Sequence, residues 1–304
     1  MEAYVMDAFS AAVFGGNQAG VVLPDRELSE TTMQQIAGEF KHSETAFVRV
    51  EDDGSVTLRY FTPAGEVDLC GHATIASFAL LRETERIGDG TFTAHTRAAE
   101  LQIRVNGDTV WMDMAPPQLL RTLEEGEWEE LYRAYGLIPA DMPEGFVPKI
   151  VSTGLADIMM PVRDHETLMR AVQDAPAVTE LSRRYDVTGV HMFCPGDESC
   201  TAYCSNYAPL YDIPEECATG TSNGALTYYL YLQGLVKEEQ ENVFTQGEHM
   251  NRPFLAARPR IHLQDTHNPQ FLQTCACHMA IRNDGHTTHR PSTPLWARSV
   301  LLPT

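Results

Sequence analysis

The stretch that decides the fold is DLCGHATIASFALL, Asp68 to Leu81, in which Cys-Gly-His directly precedes an apolar helical run. A second stretch, ECATGTSNGALTYYLYL from Glu216 to Leu232, has the same order of a cysteine, small residues and an apolar helix. An aromatic-x-Pro sequence, ending at Pro63 or Pro209, precedes each cysteine. The pattern predicts a duplicated domain whose functional site lies between the two copies, where the two helix starts meet.

The size and charge of the chain limit the kinds of partner it can have. With 304 residues the chain is long enough for about two domains of roughly 150 residues each. Its formal net charge of −20 repels nucleic acid and anionic membrane surfaces, so neither is an expected partner. A small anionic metabolite remains possible, provided that a local group such as a set of backbone amides binds it.

The cysteine count and the N-terminal segment favour a cytoplasmic protein. The seven cysteines are odd in number and scattered, which is typical of a reduced protein rather than of a disulfide scaffold. The first residues, MEAYVMDAFSAAVFGG, are acidic at Glu2 and Asp7 and lack the basic region of a signal peptide. No apolar run approaches the roughly 20 residues that a membrane-spanning helix needs.

Periodicity predicts an α/β chain in which short strands alternate with helices. Ser29 is a candidate helix N-cap, and Gly234 is a candidate residue just beyond a helix end. The sequence Ala-Pro-Pro at 115–117 separates the two halves. The predicted domains are residues 1–116 and 117–263, followed by a divergent tail at 264–304.

The starts of the two predicted central helices are suited to binding an anion. The first amides of a helix have no partner within the helix, and the aligned peptide dipoles add partial positive charge there. Such an end can hold a carboxylate without Lys or Arg. Small residues, among them Gly71, Ala73 and Gly220, would let a ligand approach the backbone closely, although the glycines could also serve only as tight turns.

Five motifs in order resemble the PhzF-like (phenazine biosynthesis-like) isomerase family. They are FGGNQAGVVL, HSETAFV, RYFTPAGEVDLCGHAT, EECATGTSNGAL and QGEHMNRP, and together they extend to about residue 253. The resemblance implies the fold of diaminopimelate epimerase and proline racemase: two similar α/β domains, each a barrel-like sheet around a central helix, with the active site in the cleft between them. It also implies no cofactor, no metal and a possible homodimer.

The resemblance also implies roles for individual residues. Glu44, in HSET, matches the family's catalytic acid/base, and His72 matches the histidine of the family's Gly-His pair. Glu216 is a further catalytic candidate, although it stands where many members have Asp. A carboxylate in a closed cleft is desolvated, which favours its protonated form, so it can both accept and return a proton near neutral pH. The expected substrate-binding residues are Asn17, Gly71, Ala73, Thr219, Gly220 and Thr221. Without the resemblance, Glu44 would be read as a solvated surface residue and Asn17 as a turn residue.

Two further functions remain open. Epimerases and racemases of the same fold use two cysteines as opposed acid and base, and Cys70 and Cys217 match those positions. A thiolate at a helix N-terminus has a lowered pKa, which suits proton abstraction. The alternative is therefore an amino-acid racemase or epimerase that uses this thiol pair. A non-catalytic relative that only binds a small molecule is the other alternative, and it does not explain why Glu44, His72 and Thr221 are retained.

The tail at 264–304 departs from the family pattern. It is rich in His, Thr, Arg and Pro and lacks sustained periodicity, so we expect much of it to be loosely packed. Its cysteines and histidines have a spacing that matches no common zinc motif, and we therefore predict no metal site there. These residues are Cys275, Cys277, His278, His286 and His289. The glycine patterns of the chain also do not match a nucleotide-binding loop.

Overall fold

The structure, a computed structural model, describes residues 1–9, 15–251, 254–255, 260–264 and 270–278. The chain divides into two compact units. The first contains Met1–Met112 and the last two residues of the final described strand, and the second contains Asp113–Ala276. The division therefore falls after residue 112, close to the predicted boundary after residue 116.

The first unit is a mixed sheet with two helices. Its elements are β1 (Glu2–Ala8), β2 (Asn17–Leu23), α1 (Glu30–Phe40), β3 (Thr45–Val50), β4 (Val56–Phe61), β5 (Glu66–Val67), α2 (Gly71–Glu83), β6 (Gly90–His95), β7 (Glu100–Asn106) and β8 (Thr109–Asp113). The strands run in the order β1-β2-β3-β4-β6-β7-β8, with β5 beside β4. The pairs β2–β3 and β4–β6 are parallel, and the other neighbours are antiparallel.

The second unit is also a mixed sheet, here with four helices in its described residues. Its elements are β9 (Gln118–Thr122), α3 (Glu125–Arg133), β10 (Lys149–Ser152), β11 (Ala156–Pro161), α4 (His165–Arg170), α5 (Ala175–Tyr185), β12 (Gly189–Pro195), β13 (Ala202–Ala208), β14 (Ile213–Glu216), α6 (Gly220–Leu232), β15 (Phe244–Gln246) and β16 (Phe254–Leu255). The strand order is β16-β15-β13-β12-β11-β10-β9, with β14 beside β13. Here β11–β12 and β13–β15 are the parallel pairs.

The two units repeat one topology. In each, an antiparallel hairpin (β1–β2 or β10–β11) is followed by a helical crossover to a parallel strand, β3 or β12. A second hairpin and a short strand come next, and a central helix then leads to another parallel strand. This repetition, with a helix and mixed sheet in each unit, is the predicted two-domain α/β architecture.

The central helices are buried because they are apolar on all sides. A helix with one apolar stripe lies at a surface, whereas a helix that is apolar all round must be enclosed. In α2 every residue from His72 to Leu81 is buried, and the helix contacts β1, β2, β3 and β7. In α6 the buried residues include Ala225, Leu226 and Tyr229, and the helix contacts β10 and β11. Burial therefore fixes where each helix starts relative to its own sheet.

Two predicted helix boundaries are confirmed. The Ser29 side chain caps α1 by accepting a hydrogen bond from the amide of Thr32 at 3.2 Å. After α6, Gly234 has a φ of 71°, a left-handed conformation that favours glycine. Both predicted central helices are present, as α2 and α6.

The last described elements are two strands, β17 (Arg260–Gln264) and β18 (Gln270–His278), which pair antiparallel. Part of the predicted divergent tail is therefore a strand in its backbone. Residues 279–304, which include His286 and His289, lie outside the described residues, as do the side chains of Cys275, Cys277 and His278. The expectation of loose packing in the tail, and that of no metal site there, stay predictions.

The cysteines whose side chains are described are buried thiols, and no described helix could cross a membrane. Five cysteines are buried thiols rather than disulfides: Cys70, Cys194, Cys200, Cys204 and Cys217. Among the helices in the described ranges, we find none with the length and apolar character needed to cross a membrane.

The stability of the folded protein should depend on pH through Glu83, the last residue of α2. Burial, and to a lesser degree the charge of Asp108, raise the pKa of Glu83 to about 7, and its buried Oε2 accepts no hydrogen bond. Because this folded-state pKa exceeds the unfolded one, the stabilising protonated form is lost as the pH rises through about 7. We expect Glu83→Gln to raise the free energy of unfolding at pH 8 by about 1 kcal/mol, after allowance for solvent screening.

Urea unfolding at pH 5 and pH 8 tests this expectation. The gain from Glu83→Gln should be present at pH 8 and nearly absent at pH 5. The matched control is Glu85→Gln, since Glu85 is exposed and two residues away. An equal effect of Glu83→Gln at both pH values would contradict the assignment.

Candidate active site

The first group of candidate residues lies at the start of α2 and the adjoining end of the α1–β3 loop. Cys70 is the N-cap of α2, and His72 is the second residue of the helix. Glu44 directly precedes β3, and its carbonyl oxygen accepts a hydrogen bond from the amide of Gly20 at 3.0 Å. This bond extends the parallel pairing of β2 and β3, so the sheet fixes the backbone of the catalytic candidate.

The structure brings Glu44, Cys70 and His72 together. The Glu44 Oε2 atom is 3.3 Å from the His72 Nε2 atom. The Cys70 Sγ atom is 3.4 Å from the Nδ1 atom and 3.8 Å from the Nε2 atom of His72. One donor atom from each of the three side chains lies within 4.8 Å of the others. A carboxylate, a thiol and an imidazole thus form one cluster inside the first unit.

His72 is held as a neutral imidazole. Burial lowers the pKa of His72 below its usual value, although the charge of Glu44 and a hydrogen bond with the backbone of Gln18 act in the opposite direction. Only 7% of its side chain is exposed. A neutral imidazole donates one hydrogen bond and accepts another, so His72 is able to orient a substrate or share a proton with its neighbours.

Glu44 has a buried carboxylate oxygen whose hydrogen-bonding capacity is unused. Its Oε2 atom is inaccessible to solvent and accepts no hydrogen bond, because the approach to His72 Nε2 is close but not aligned. Buried polar atoms are almost always hydrogen-bonded, and the exceptions concentrate at functional positions. The Glu44 side chain is 18% exposed, so the alternative of a freely solvated surface residue does not describe it.

The remaining candidates in the first unit are Gly71, Ala73 and Asn17. Gly71 and Ala73 belong to the first turn of α2, where Cys70 provides no side-chain cap. Asn17 is the first residue of β2 and only 6% exposed, so it is a buried strand residue rather than a turn residue. The α2 start therefore presents backbone amides beside Glu44 and His72.

The second group of candidates lies at the start of α6. The Thr219 hydroxyl donates to a Glu216 carboxylate oxygen at 3.2 Å and accepts from the Gln246 side-chain amide at 3.0 Å. The same Gln246 amide donates to the Glu216 carbonyl at 2.7 Å. Glu216 and Thr219 are thus joined through Gln246, a residue that the sequence did not single out.

The helix itself begins at Gly220, and its N-cap, Thr219, makes no capping hydrogen bond. Thr221 is in the first turn, and its carbonyl accepts from the Thr153 hydroxyl at 2.9 Å. Cys217 is 6% exposed and precedes the cap by two residues. Both central helices therefore start without a hydrogen bond from the side chain of the N-cap residue. The expectation that the two starts share one cleft stays a prediction.

A buried polar network supports the start of α6. Ser222, in the first turn, donates to the Asp157 carboxylate at 2.6 Å and accepts from the Asn206 amide at 3.1 Å. The Asn206 amide is also 3.1 Å from His191 Nδ1, and His191 Nε2 is 3.2 Å from the Asn223 side-chain oxygen. The network connects β11, β12 and β13 to the helix.

Burial sets the protonation of this network. Desolvation raises the pKa of Asp157, although hydrogen bonds with Ser222 and the Gly189 backbone act in the opposite direction. Desolvation also lowers the pKa of His191 to about 3, so its imidazole is neutral at ordinary pH. The network continues from Asn223 to the Gln246 side-chain oxygen, 2.9 Å away, and so reaches Thr219 and Glu216.

The sequence contained one signal for this network. Asp157 and His191 each occur within an apolar strand, in ADIMMP and GVHMFCP, and a polar residue in such a run needs a buried partner. The partners themselves come from distant segments and carry no local signal.

Known proteins resemble this chain in sequence and in fold. The model of the family described as "Phenazine biosynthesis-like protein" (PhzC-PhzF) matches residues 6–269. A protein of Deinococcus radiodurans, named an uncharacterized isomerase, is 35% identical over 233 residues, which cover 75% of each chain. The crystal structure of a Bacillus anthracis phenazine biosynthesis protein of the PhzF family superposes with a TM-score of 0.80 and 26% identity, covering 91% of this chain and 95% of that one.

A more distant likeness concerns the fold alone. The crystal structure of a probable proline racemase from Agrobacterium radiobacter K84 has a TM-score of 0.56 at 11% identity, covering 91% of this chain and 90% of that one. With the repeated topology of the two units, it confirms the predicted epimerase and racemase fold. The match over residues 6–269 shows that the chain belongs to the phenazine biosynthesis-like (PhzC-PhzF) protein family.

Proposed function

We propose that this protein is an isomerase that moves a proton between carbon atoms of a small, carboxylate-bearing substrate, with Glu44 as general acid and base. The observation that carries the proposal is the buried Glu44 Oε2 atom, which accepts no hydrogen bond and is 3.3 Å from His72 Nε2. The family match and the isomerase name of the Deinococcus radiodurans relative support the reaction class.

The proposed step uses one carboxyl group twice. The Glu44 carboxylate takes a proton from a substrate C–H bond, and the bonding electron pair moves into the adjacent π system. The protonated Glu44 then returns the proton to a different carbon, which shifts the double bond and regenerates the carboxylate. A single carboxyl group can serve first as base and then as acid, because the proton that it takes from one carbon is the proton that it returns to another.

His72 and the helix starts stabilise the charge that develops in this step. A neutral His72 donates or accepts a hydrogen bond beside the reacting atoms without adding a full positive charge. The uncapped amides at Gly71 and Ala73 are oriented to receive negative charge, which is the arrangement that stabilises enolate-like transition states. We assign Glu216, Thr219, Gly220 and Thr221 at α6, together with Asn17, to substrate binding, with Glu216 as the further acid/base candidate.

A thiol mechanism is the second candidate, and one observation favours it. Cys70 is the N-cap of α2 and its Sγ atom is 3.4 Å from His72 Nδ1, which places the thiol within reach of a proton acceptor. In this alternative, Cys70 and Cys217 would act as the acid and base of an amino-acid racemase or epimerase. A protein that binds its ligand without turnover is the remaining alternative.

Deuterium exchange separates these functions. The wild-type protein is incubated in D₂O with a panel of small unsaturated carboxylic acids and α-amino acids, and C–H exchange is followed by NMR. Exchange into unsaturated acids that survives Cys217→Ser supports the isomerase. Exchange at the α-carbon of an amino acid that Cys217→Ser abolishes supports the racemase, and no exchange with any compound supports the binding protein.

A further inference from the structure

Glu44, Cys70 and His72 together form a donor set for a metal ion. In the described part of the chain they are the one group of three metal-ligating side chains whose donor atoms converge, all within 4.8 Å of one another. The three donors are chemically different: a carboxylate oxygen, a thiol sulfur and an imidazole nitrogen. Clusters that include a cysteine and a histidine favour Zn²⁺ over Mg²⁺ or Ca²⁺, which prefer oxygen ligands alone.

Two of the distances are close to those between the ligand atoms of a tetrahedral zinc ion. Zinc binds sulfur at about 2.3 Å and nitrogen or oxygen at about 2.0–2.2 Å, so tetrahedral ligand atoms are roughly 3.3–3.7 Å apart. Here Glu44 Oε2 and His72 Nε2 are 3.3 Å apart, and Cys70 Sγ is 3.8 Å from the same nitrogen. Cys70 Sγ is also 3.4 Å from Nδ1 of His72, so its side chain has to rotate towards the Nε2 side of the ring to share one ion with Glu44 and His72.

The surroundings favour such an ion. Glu44 Oε2 is buried and accepts no hydrogen bond, so a cation would satisfy an acceptor that the protein leaves unused. The formal net charge of −20 raises the local concentration of cations around the whole protein.

We propose that Glu44, Cys70 and His72 bind one Zn²⁺ ion, with a fourth position open to water or to a ligand carboxylate. On binding, the Cys70 thiol loses its proton to the solvent and its sulfur becomes a thiolate ligand. One consequence rests on the proposed function: with Glu44 and His72 engaged as ligands, Zn²⁺ inhibits the proton transfer.

Cobalt(II) is the probe for the site, because tetrahedral Co²⁺ bound to a thiolate has visible and near-ultraviolet absorption bands. The full-length, reduced protein is titrated with Co²⁺. We expect one equivalent to give both sets of bands and Zn²⁺ to remove them. Cys70→Ser should abolish the sulfur-to-cobalt band, and Glu44→Gln and His72→Asn should each weaken binding at least about tenfold.

Two controls make the assignment specific. Cys200→Ser changes a cysteine as buried as Cys70, at 6% exposure each, and should leave the titration unchanged. The double variant Cys275→Ser/Cys277→Ser removes the thiols of the tail and should also leave it unchanged. The proposal is overturned if the wild type gives no thiolate–cobalt band, or if the band disappears in the tail variant. It is equally overturned if the band persists in a folded Cys70→Ser protein.

Activity measurements distinguish this proposal from the proposed function. One equivalent of Zn²⁺ should slow deuterium exchange at least about tenfold, and a chelator should restore it. A wild-type protein that binds cobalt as described but exchanges no substrate proton would contradict the isomerase assignment and leave the metal site intact. If exchange continues at an unchanged rate with Zn²⁺ bound, Glu44 cannot be both the catalytic acid/base and a zinc ligand.

Discussion

Replacement of Glu44 by glutamine is expected to lower the rate of substrate C–H exchange by about 10³-fold. Glutamine preserves the shape of the side chain but cannot accept or return a proton, and a positioned general acid/base typically contributes 10²–10⁴-fold. The fold should not suffer, because Glu44 Oε2 accepts no hydrogen bond that the substitution would remove. Deuterium incorporation measured by NMR gives the rate, and urea unfolding gives the stability.

The matched control is Glu39→Gln, which changes an exposed glutamate on α1 that precedes Glu44 by five residues. This variant should exchange substrate protons at the wild-type rate. If Glu44→Gln keeps more than about a tenth of the wild-type rate, Glu44 is not the acid/base. If the rate falls only together with the stability, the effect is structural.

The second large effect concerns His191 and acid. Its pKa is lowered to about 3 by burial, whereas in the unfolded chain it is near 6.5. Between these values the unfolded state binds a proton that the folded state does not, so the stability from His191 is lost as the pH falls from about 6.5 towards 3. The full contribution is roughly 5 kcal/mol, since each of the three and a half pH units between 6.5 and 3 corresponds to about 1.4 kcal/mol per proton.

The variant His191→Gln isolates this contribution. At pH 7.5 it should be less stable than the wild type by about 1–3 kcal/mol, because hydrogen bonds to Asn206 and Asn223 are lost. The difference should shrink as the pH falls, since glutamine does not titrate. Urea unfolding at pH 7.5, 6, 5 and 4 measures it, and a constant difference across this series would show that His191 is not buried as a neutral imidazole.

Asp157 provides a control of opposite sign. Its pKa is raised, so the folded state holds its proton at pH values where the unfolded state has lost it. The stability that Asp157 contributes is therefore lost as the pH rises above about 3.8. Asp157→Asn should remove this loss and keep the loss of stability in acid, which comes from His191. In the wild type, the pH dependence of stability from Asp157 partly offsets that from His191. Comparing the two variants separates the contributions.

The architecture was predictable because its signals are local. The sequences that start α2 and α6 have the same order of cysteine, small residues and apolar helix, and the structure shows the same topology around both. The short strands β5, β14 and β15 were not predicted as separate elements, since two to four residues are too few for a periodicity. Tertiary pairing with β4 and β13 is what makes them strands.

The site was predictable only in part, because proximity between distant residues leaves no local pattern. The family resemblance singled out Glu44 and His72, and their side chains are 3.3 Å apart. Gln246 and Asn206 were missed, since neither differs in sequence from an ordinary polar residue. Their importance comes from the hydrogen bonds that join them to Thr219 and Ser222 across the fold.

The uncapped starts of α2 and α6 have a consequence for engineering. A side-chain cap typically stabilises a helix by about 0.5–2 kcal/mol, and neither Cys70 nor Thr219 supplies one. Directed evolution for heat resistance would therefore favour aspartate or serine at these two positions. Aspartate would add a negative charge where the substrate carboxylate is proposed to bind, so the most thermostable variants would be poor catalysts. Thermostability and turnover would then be opposed at these two residues.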